Sequence, residues 1–282
     1  MKHLMQAQRW ELKYAATEAT ALAVREFVSG CLELDEYGEC QPDLSYPVHS
    51  LYLDSEDLRI YWGTINGNKN RYKLRLRFYN DQPDAPVFFE IKRRMNEAIL
   101  KQRGGVKRTA VEGILAGQCP MEEDLISADL KTLMAVQHFV RLMLDDGATP
   151  RAHVAYRREA WISPNDNSLR VTLDRHVQCA PEFSTRFTAQ LDSPVSVFGN
   201  LVILELKFTG RFPLWFNQLV QRFNLQQRSA AKYADGVALK GEHFFSQRAS
   251  QGCAQLDGCS ARDERLAALP QEDSSLRPAF AL

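Results

Sequence analysis

Arg71, Lys73, Arg75 and Arg77 recur at every second position of Arg71–Tyr79. At the two-residue period of a β-strand these four cations share one face, and Tyr72, Leu74, Leu76 and Phe78 share the other. A row of like charges a few ångströms apart repels itself unless water or a polyanion screens it. The chemistry on offer is therefore anion binding, with Arg supplying forked donors that match phosphate oxygens and Lys supplying point charges. Other runs alternate in the same way. Phe88, Glu90, Lys92 and Arg94 share a parity. So do Arg151, His153 and Ala155, ahead of Arg157 and Arg158; Arg170, Thr172 and Asp174; and Glu205 with Lys207. Plainer readings exist: a solvated strand face for the basic row, surface ion pairs for Glu205–Lys207 and Glu90–Lys92, and a polar helix start for Lys232.

The elements that must position these groups follow from hydrophobic periodicity. Period-two or continuous apolar runs fall near 9–14, 47–54, 71–79, 87–94, 98–103, 151–161, 169–177 and 201–208, which predicts eight strands. Helical patterns occupy Thr17–Leu34, with Leu22, Phe27, Val28, Cys31 and Leu32 on one stripe, a short Thr109–Leu115, and Met121–Asp145 before Gly147. Another starts at Pro213, read as a first helical position. Gly63–Asn70 lacks the Gly-Lys-Ser/Thr ending of a phosphate loop and is expected to be a turn. Strands in consecutive groups with helices between the groups predict an α+β protein with a mainly antiparallel sheet. Eight strands suffice to close a β-barrel, which would turn the basic face into a polar lumen and leave the helices packed outside.

Composition narrows the class. The chain has 282 residues, 45% hydrophobic and 25% charged, with a formal net charge of zero. That suits a globular domain and argues against a protein that coats nucleic acid by bulk charge. Nucleic-acid binding also predicts aromatics on the cationic face, and in 71–79 only Tyr79 meets that demand. Six cysteines without a CxxC pair, and no signal peptide or apolar membrane-length run, predict a cytoplasmic location. His49, His138, His153 and His176 lack metal-ligand spacing, and Cys253–Cys259 is a weak zinc signal. The chain divides into a leader at 1–8, a folded domain at 9–245 and a Ser-, Gln- and Ala-rich mobile tail at 246–282.

Seven ordered motifs carry a resemblance. Glu11–Tyr14, Tyr46–Ser55, Arg71–Tyr79, Phe89–Arg94, Leu169–Asp174, Leu204–Lys207 and Ser229–Tyr233 together resemble the VTC domain. This is the polyphosphate polymerase domain of the vacuolar transporter chaperone family, within the triphosphate tunnel metalloenzyme superfamily. The resemblance implies an eight-stranded antiparallel tunnel whose basic lining holds ATP and inorganic polyphosphate or triphosphate. It implies Lys13, Arg75, Arg77, Lys92, Lys101, Arg158, Arg170, Lys207 and Lys232 as that lining, with Arg157 competing for the place of Arg158. Arg75, Arg77, Lys92 and Lys232 would carry the reaction, and Glu205 would ligate Mn²⁺ or Mg²⁺. With no membrane span of its own, the chain would act alone or with a separate membrane-protein partner, which leaves the coupling of synthesis to translocation open.

The implied reaction moves the γ-phosphoryl group of ATP onto a growing polyphosphate, where positioning and charge neutralisation supply most of the rate. The acceptor oxygen is already anionic, so no protein base is required. Hydrolytic members of the superfamily carry Glu-x-Glu-x-Lys on the first strand. Here the corresponding residues are Arg9, Glu11 and Lys13, and the charge reversal at Arg9 favours the polymerase reading over tripolyphosphate hydrolysis. A polyphosphate-binding subunit without turnover is the third alternative.

Overall fold

The computed structural model describes residues 9–96, 98–164 and 168–246. The leader at 1–8, the tail from 247 onward and the Cys253–Cys259 spacing lie outside the described residues. All eight expected strands form: β1 (Arg9–Ala16), β3 (Tyr46–Asp54), β4 (Asn70–Phe78), β5 (Val87–Met95), β6 (Ala98–Val106), β7 (Thr149–Ile162), β8 (Leu169–Pro181) and β10 (Val202–Thr209). Two short strands, β2 (Glu33–Leu34) and β9 (Val195–Ser196), are additional. The principal path runs β1-β10-β8-β7-β3-β4-β5-β6 and is antiparallel at every step.

The expected closed barrel is instead a curled sheet with two edges. Strands β1 and β6 approach each other without a ladder between them. Each edge already has another partner. Arg228 N–H donates to Lys13 C=O at 2.9 Å, and Tyr14 bridges Gln227. On β6, Ile126 N–H donates to Gly105 C=O at 3.0 Å, and Val106 bridges Leu125. Backbone groups satisfied in this way have no drive to pair with one another. Side chains span the gap instead: Lys92 Nζ on β5 lies 3.1 Å from a Glu11 carboxylate oxygen on β1.

Helices cover both faces, which corrects the expectation that all lie outside. On the outer face, α1 (Glu18–Ser29) buries Ala21, Val24 and Val28 against β1, β8 and β10. The predicted stripe is rotated, leaving Leu22 and Cys31 exposed. Thr17 caps this helix through Thr20 N–H, and the chain then enters β2 rather than continuing to Leu34. Next come α2 (Glu36–Glu39), α3 (Arg59–Ile65), which takes in part of the expected 63–70 turn, and α4 (Val111–Leu115). The long helix α5 (Leu130–Asp146) starts later than its apolar pattern suggests, because Asp129 supplies an N-cap to Thr132 N–H at 2.8 Å. It packs Val136, Phe139 and Val140 over β4, β5 and β6. Pro213 caps α6 (Leu214–Arg222) instead of entering it. The exception is α7 (Lys232–Lys240), which lies on the concave face: Tyr233 stacks on Tyr52 of β3 with centroids 4.8 Å apart, and Val237 joins Val154 and Cys179.

Candidate functional site

The concave side of the sheet holds a cavity of about 690 Å³ lined by eleven Lys and Arg side chains and two carboxylates, Glu11 and Glu205. Lys13, Arg75, Arg77, Lys92, Lys101, Arg158, Arg170, Glu205, Lys207 and Lys232, all taken from the resemblance, border this one space. Lys73 and Arg103 join them. Lys73 was legible from the row 71–77, and Arg103 from sharing a strand parity with Lys101.

Strand parity and register explain who lines the chamber. Arg158 faces it, 2.7 Å from Asp174, whereas Arg157 turns away to Asp43 and Ser45. Arg151 and His153, at the opposite parity from Arg158, stay outside the chamber; His153 packs on Phe78, with its Nε2 3.1 Å from His49 Nδ1. Arg170 reaches the chamber rim while paired with Asp35 at 2.9 Å. Lys232 is aimed inward from the first position of α7. Two contacts hold that helix down. Tyr233 O–H donates to Asp54 at 2.7 Å, and Gly236 sits so close to β8 that an added Cβ would lie 2.6 Å from the Cys179 Cβ. Asp54 also accepts from Ile60 and Tyr61 N–H, tying α3 to the same anchor.

The basic row is screened from within as well as by solvent. Glu90 is fully buried; Arg75 lies 2.6 Å from it, Lys101 2.8 Å, Arg103 3.4 Å and Arg77 3.9 Å. It is neither a surface ion pair nor a partner of Lys92, which turns to Glu11. Glu205 is likewise enclosed, with Lys207 at 2.6 Å, Lys232 at 3.0 Å, Lys13 at 3.5 Å and Arg158 at 3.6 Å. Burial alone would raise both carboxyl pKa values, but the surrounding cations hold them well below the ordinary range. The lysines split in two. Lys232, which burial would lower, is raised by Asp174 and Glu205. Lys73 and Lys207 are pushed down to about 8, chiefly by burial, with Lys13 and Lys92 adding to the effect at Lys73 and Arg158 at Lys207. Eleven cations against so few carboxylates leave a strong positive field in a semi-enclosed space, which a chain of phosphates would neutralise.

The same donor set bears on a metal ion. Among the described residues, no group of three or more His, Cys, Asp or Glu side chains could hold one. Glu205 offers a single carboxylate whose oxygens already face four cations. Glu205 therefore offers one carboxylate to a divalent cation, which suffices for Mg²⁺ only where substrate phosphates and water complete its shell.

A second cavity of about 520 Å³ opens beside the first and shares Lys13, Lys73 and Lys92 with it. Among the described residues, no helix is long and apolar enough to cross a membrane.

Comparisons place this architecture. The chain is 25% identical over 206 residues to vacuolar transporter chaperone complex subunit 4 of Schizosaccharomyces pombe, covering 61% of this chain and 29% of that protein. It is 25% identical over 246 residues to the subunit of the same name in Trypanosoma cruzi, covering 76% and 31%. The match thus spans about a third of those relatives' length. Among solved structures, a candidate adenylate cyclase from Bacillus halodurans superposes with a TM-score of 0.43 at 12% identity, over 79% of this chain and 94% of that one. That likeness is too distant to bear on function. The VTC domain profile matches residues 8–240, and the chain belongs to the VTC domain family.

Proposed function

We propose that this domain is a polyphosphate polymerase-like phosphotransferase that moves the γ-phosphoryl group of ATP onto the end of an inorganic polyphosphate held in the basic chamber. The observation that carries this reading is the 690 Å³ cavity with eleven cations and two carboxylates. In the transfer, a terminal polyphosphate oxygen forms a bond to γ-phosphorus as the bond to the β–γ bridging oxygen breaks, and ADP leaves with that electron pair. The entering oxygen carries no proton at neutral pH, so the chamber has only to align two anions and offset their repulsion. Arg75 and Arg77 supply forked donors, and Lys92 and Lys232 point charges, exchanging internal carboxylates for phosphate oxygens. Lys13, Lys101, Arg158, Arg170 and Lys207 extend the track.

The divalent ion, Mn²⁺ or Mg²⁺, belongs to the substrate in this reading: it arrives on the nucleotide, and Glu205 is the protein oxygen that would meet it. The domain is proposed to work on the cytoplasmic side, with a membrane protein as the partner that removes product. One observation favours a second reading. Glu11 and Glu205 flank the Lys13 ammonium at 3.3 and 3.5 Å, a pair of carboxylates that could orient water for tripolyphosphate hydrolysis.

The deciding experiment incubates the purified chain with ATP and Mn²⁺ or Mg²⁺, with and without a short polyphosphate primer, following long chains on a gel and released orthophosphate. Long chains that disappear in Glu205→Gln are expected. Orthophosphate alone makes the protein a hydrolase, and neither product despite polyphosphate binding makes it a binding subunit.

A further inference from the structure

The seam between β1 and β6 runs along the side of the chamber. An odd number of antiparallel steps separates the two strands, so they run in opposite directions. Among the described residues, backbone partners cover the seam toward its opposite ends: 227–228 at Lys13 and Tyr14 of β1, and 125–126 at Gly105 and Val106 of β6. Between those covers the strands approach without a ladder. The chamber lining records the gap. A strand inside a sheet shows a chamber alternate residues, as β4 does with Lys73, Arg75 and Arg77. On β6 the consecutive residues Ile99, Leu100 and Lys101 all border the chamber, and Leu100 is 40% exposed. The cavity therefore runs over the edge of β6.

Among the described residues, one ion pair crosses the seam, Lys92 on β5 to Glu11 on β1 at 3.1 Å, with side chains 32% and 12% exposed. A partly exposed pair adds little stability, and opening it breaks no backbone hydrogen bond. A phosphate oxygen can take the place of Glu11 on the Lys92 ammonium. A long polyphosphate has two ends and many internal linkages, so entry through a mouth must wait for an end, whereas entry through the seam need not. We infer that the chamber takes up internal segments of long inorganic polyphosphate sideways through the β1–β6 seam, with Lys92–Glu11 as its latch. Binding then needs no free chain end, and a long product can leave without being threaded back. This inference rests on the phosphate-chamber reading and adds to it a ligand class, polyphosphate with both ends blocked, and a route.

The test uses long polyphosphate carrying a globular protein, too wide for the chamber, on one end or on both. Uncapped chains are the reference, and binding to the full chain is followed by equilibrium titration and stopped flow. The doubly capped ligand is expected to bind within about threefold of the singly capped one. A larger loss confined to the doubly capped ligand overturns side entry and leaves the phosphate chamber standing. An uncapped chain that fails to bind removes the chamber reading itself. Glu11→Gln opens the latch, whereas Glu205→Gln removes the same charge from a carboxylate that has no ion-pair partner on β5 or β6. In variants whose Tm shows them folded, Glu11→Gln should speed association of the doubly capped ligand about threefold or more beyond Glu205→Gln. Equal rates in the two variants overturn the latch.

Discussion

Glu90→Gln separates the structural from the functional role of the internal carboxylates. Arg75 and Arg77 are buried against Glu90, with side chains 14% and 7% exposed. Removing one partner of a buried pair costs about 3–5 kcal/mol. The low end applies, because Arg75 keeps Tyr52 and Arg77 keeps Ser50 and Tyr156 as hydroxyl partners. Lys101 and Arg103 are 44% and 36% exposed, regain water and add little. A loss of about 3 kcal/mol in a domain of this size lowers Tm by roughly 6–12 °C. Polyphosphate affinity should move the other way, by on the order of tenfold, because the ligand no longer competes with a fixed carboxylate. Burial would raise the Glu90 pKa, but Arg75 and Arg77 depress it strongly. Its contribution is therefore complete above the ordinary carboxylate range and falls progressively as pH drops from there toward the depressed folded-state value, so parent and variant Tm should converge only in strong acid. Thermal unfolding with and without long-chain polyphosphate measures both effects. An unchanged Tm, or weaker polyphosphate binding, would refute the reasoning. Arg75→Ala with Arg77→Ala should lose binding and also lower Tm by stranding Glu90, and adding Glu90→Gln should restore stability but not binding.

Lys73 and Lys207, held near 8, should regain full charge beside phosphate. Polyphosphate binding is therefore expected to take up protons near that pH and to weaken as pH rises above it; calorimetry in two buffers of different ionisation enthalpy checks this, and zero uptake contradicts it. The sign for the free fold is opposite: between about 8 and 10.5 the unfolded chain holds more protons at these two sites, so their contribution to stability rises with pH. Gly236→Ala would bring its Cβ to 2.6 Å from Cys179 and push α7 off β8, displacing Lys232. Turnover should fall more than Tm, whereas a variant that unfolds without any selective loss of turnover would show that α7 does not set the position of Lys232.

The sequence by itself determined the eight long strands and which of their residues share a face. Side-chain alternation is a local property of extended backbone, so Arg71 through Arg77 had to share a face, and Glu205 and Lys207 likewise. It could not decide closure, because the edges are claimed by segments remote in the chain, 227–228 at β1 and 125–126 at β6. Nor could it put α7 on the concave face, since an apolar helix stripe does not say which side of a sheet it will cover. Arg157 and Arg158 are adjacent in sequence and alike in charge; only the register of β7 against β8 gave the chamber to Arg158 and Asp43 to Arg157. The pairing of charges was least legible. Glu90 reads as a neighbour of Lys92, yet it neutralises cations from β4 and β6 while Lys92 crosses to Glu11 on β1. Coulomb energy in a buried space depends on distances that tertiary packing alone sets.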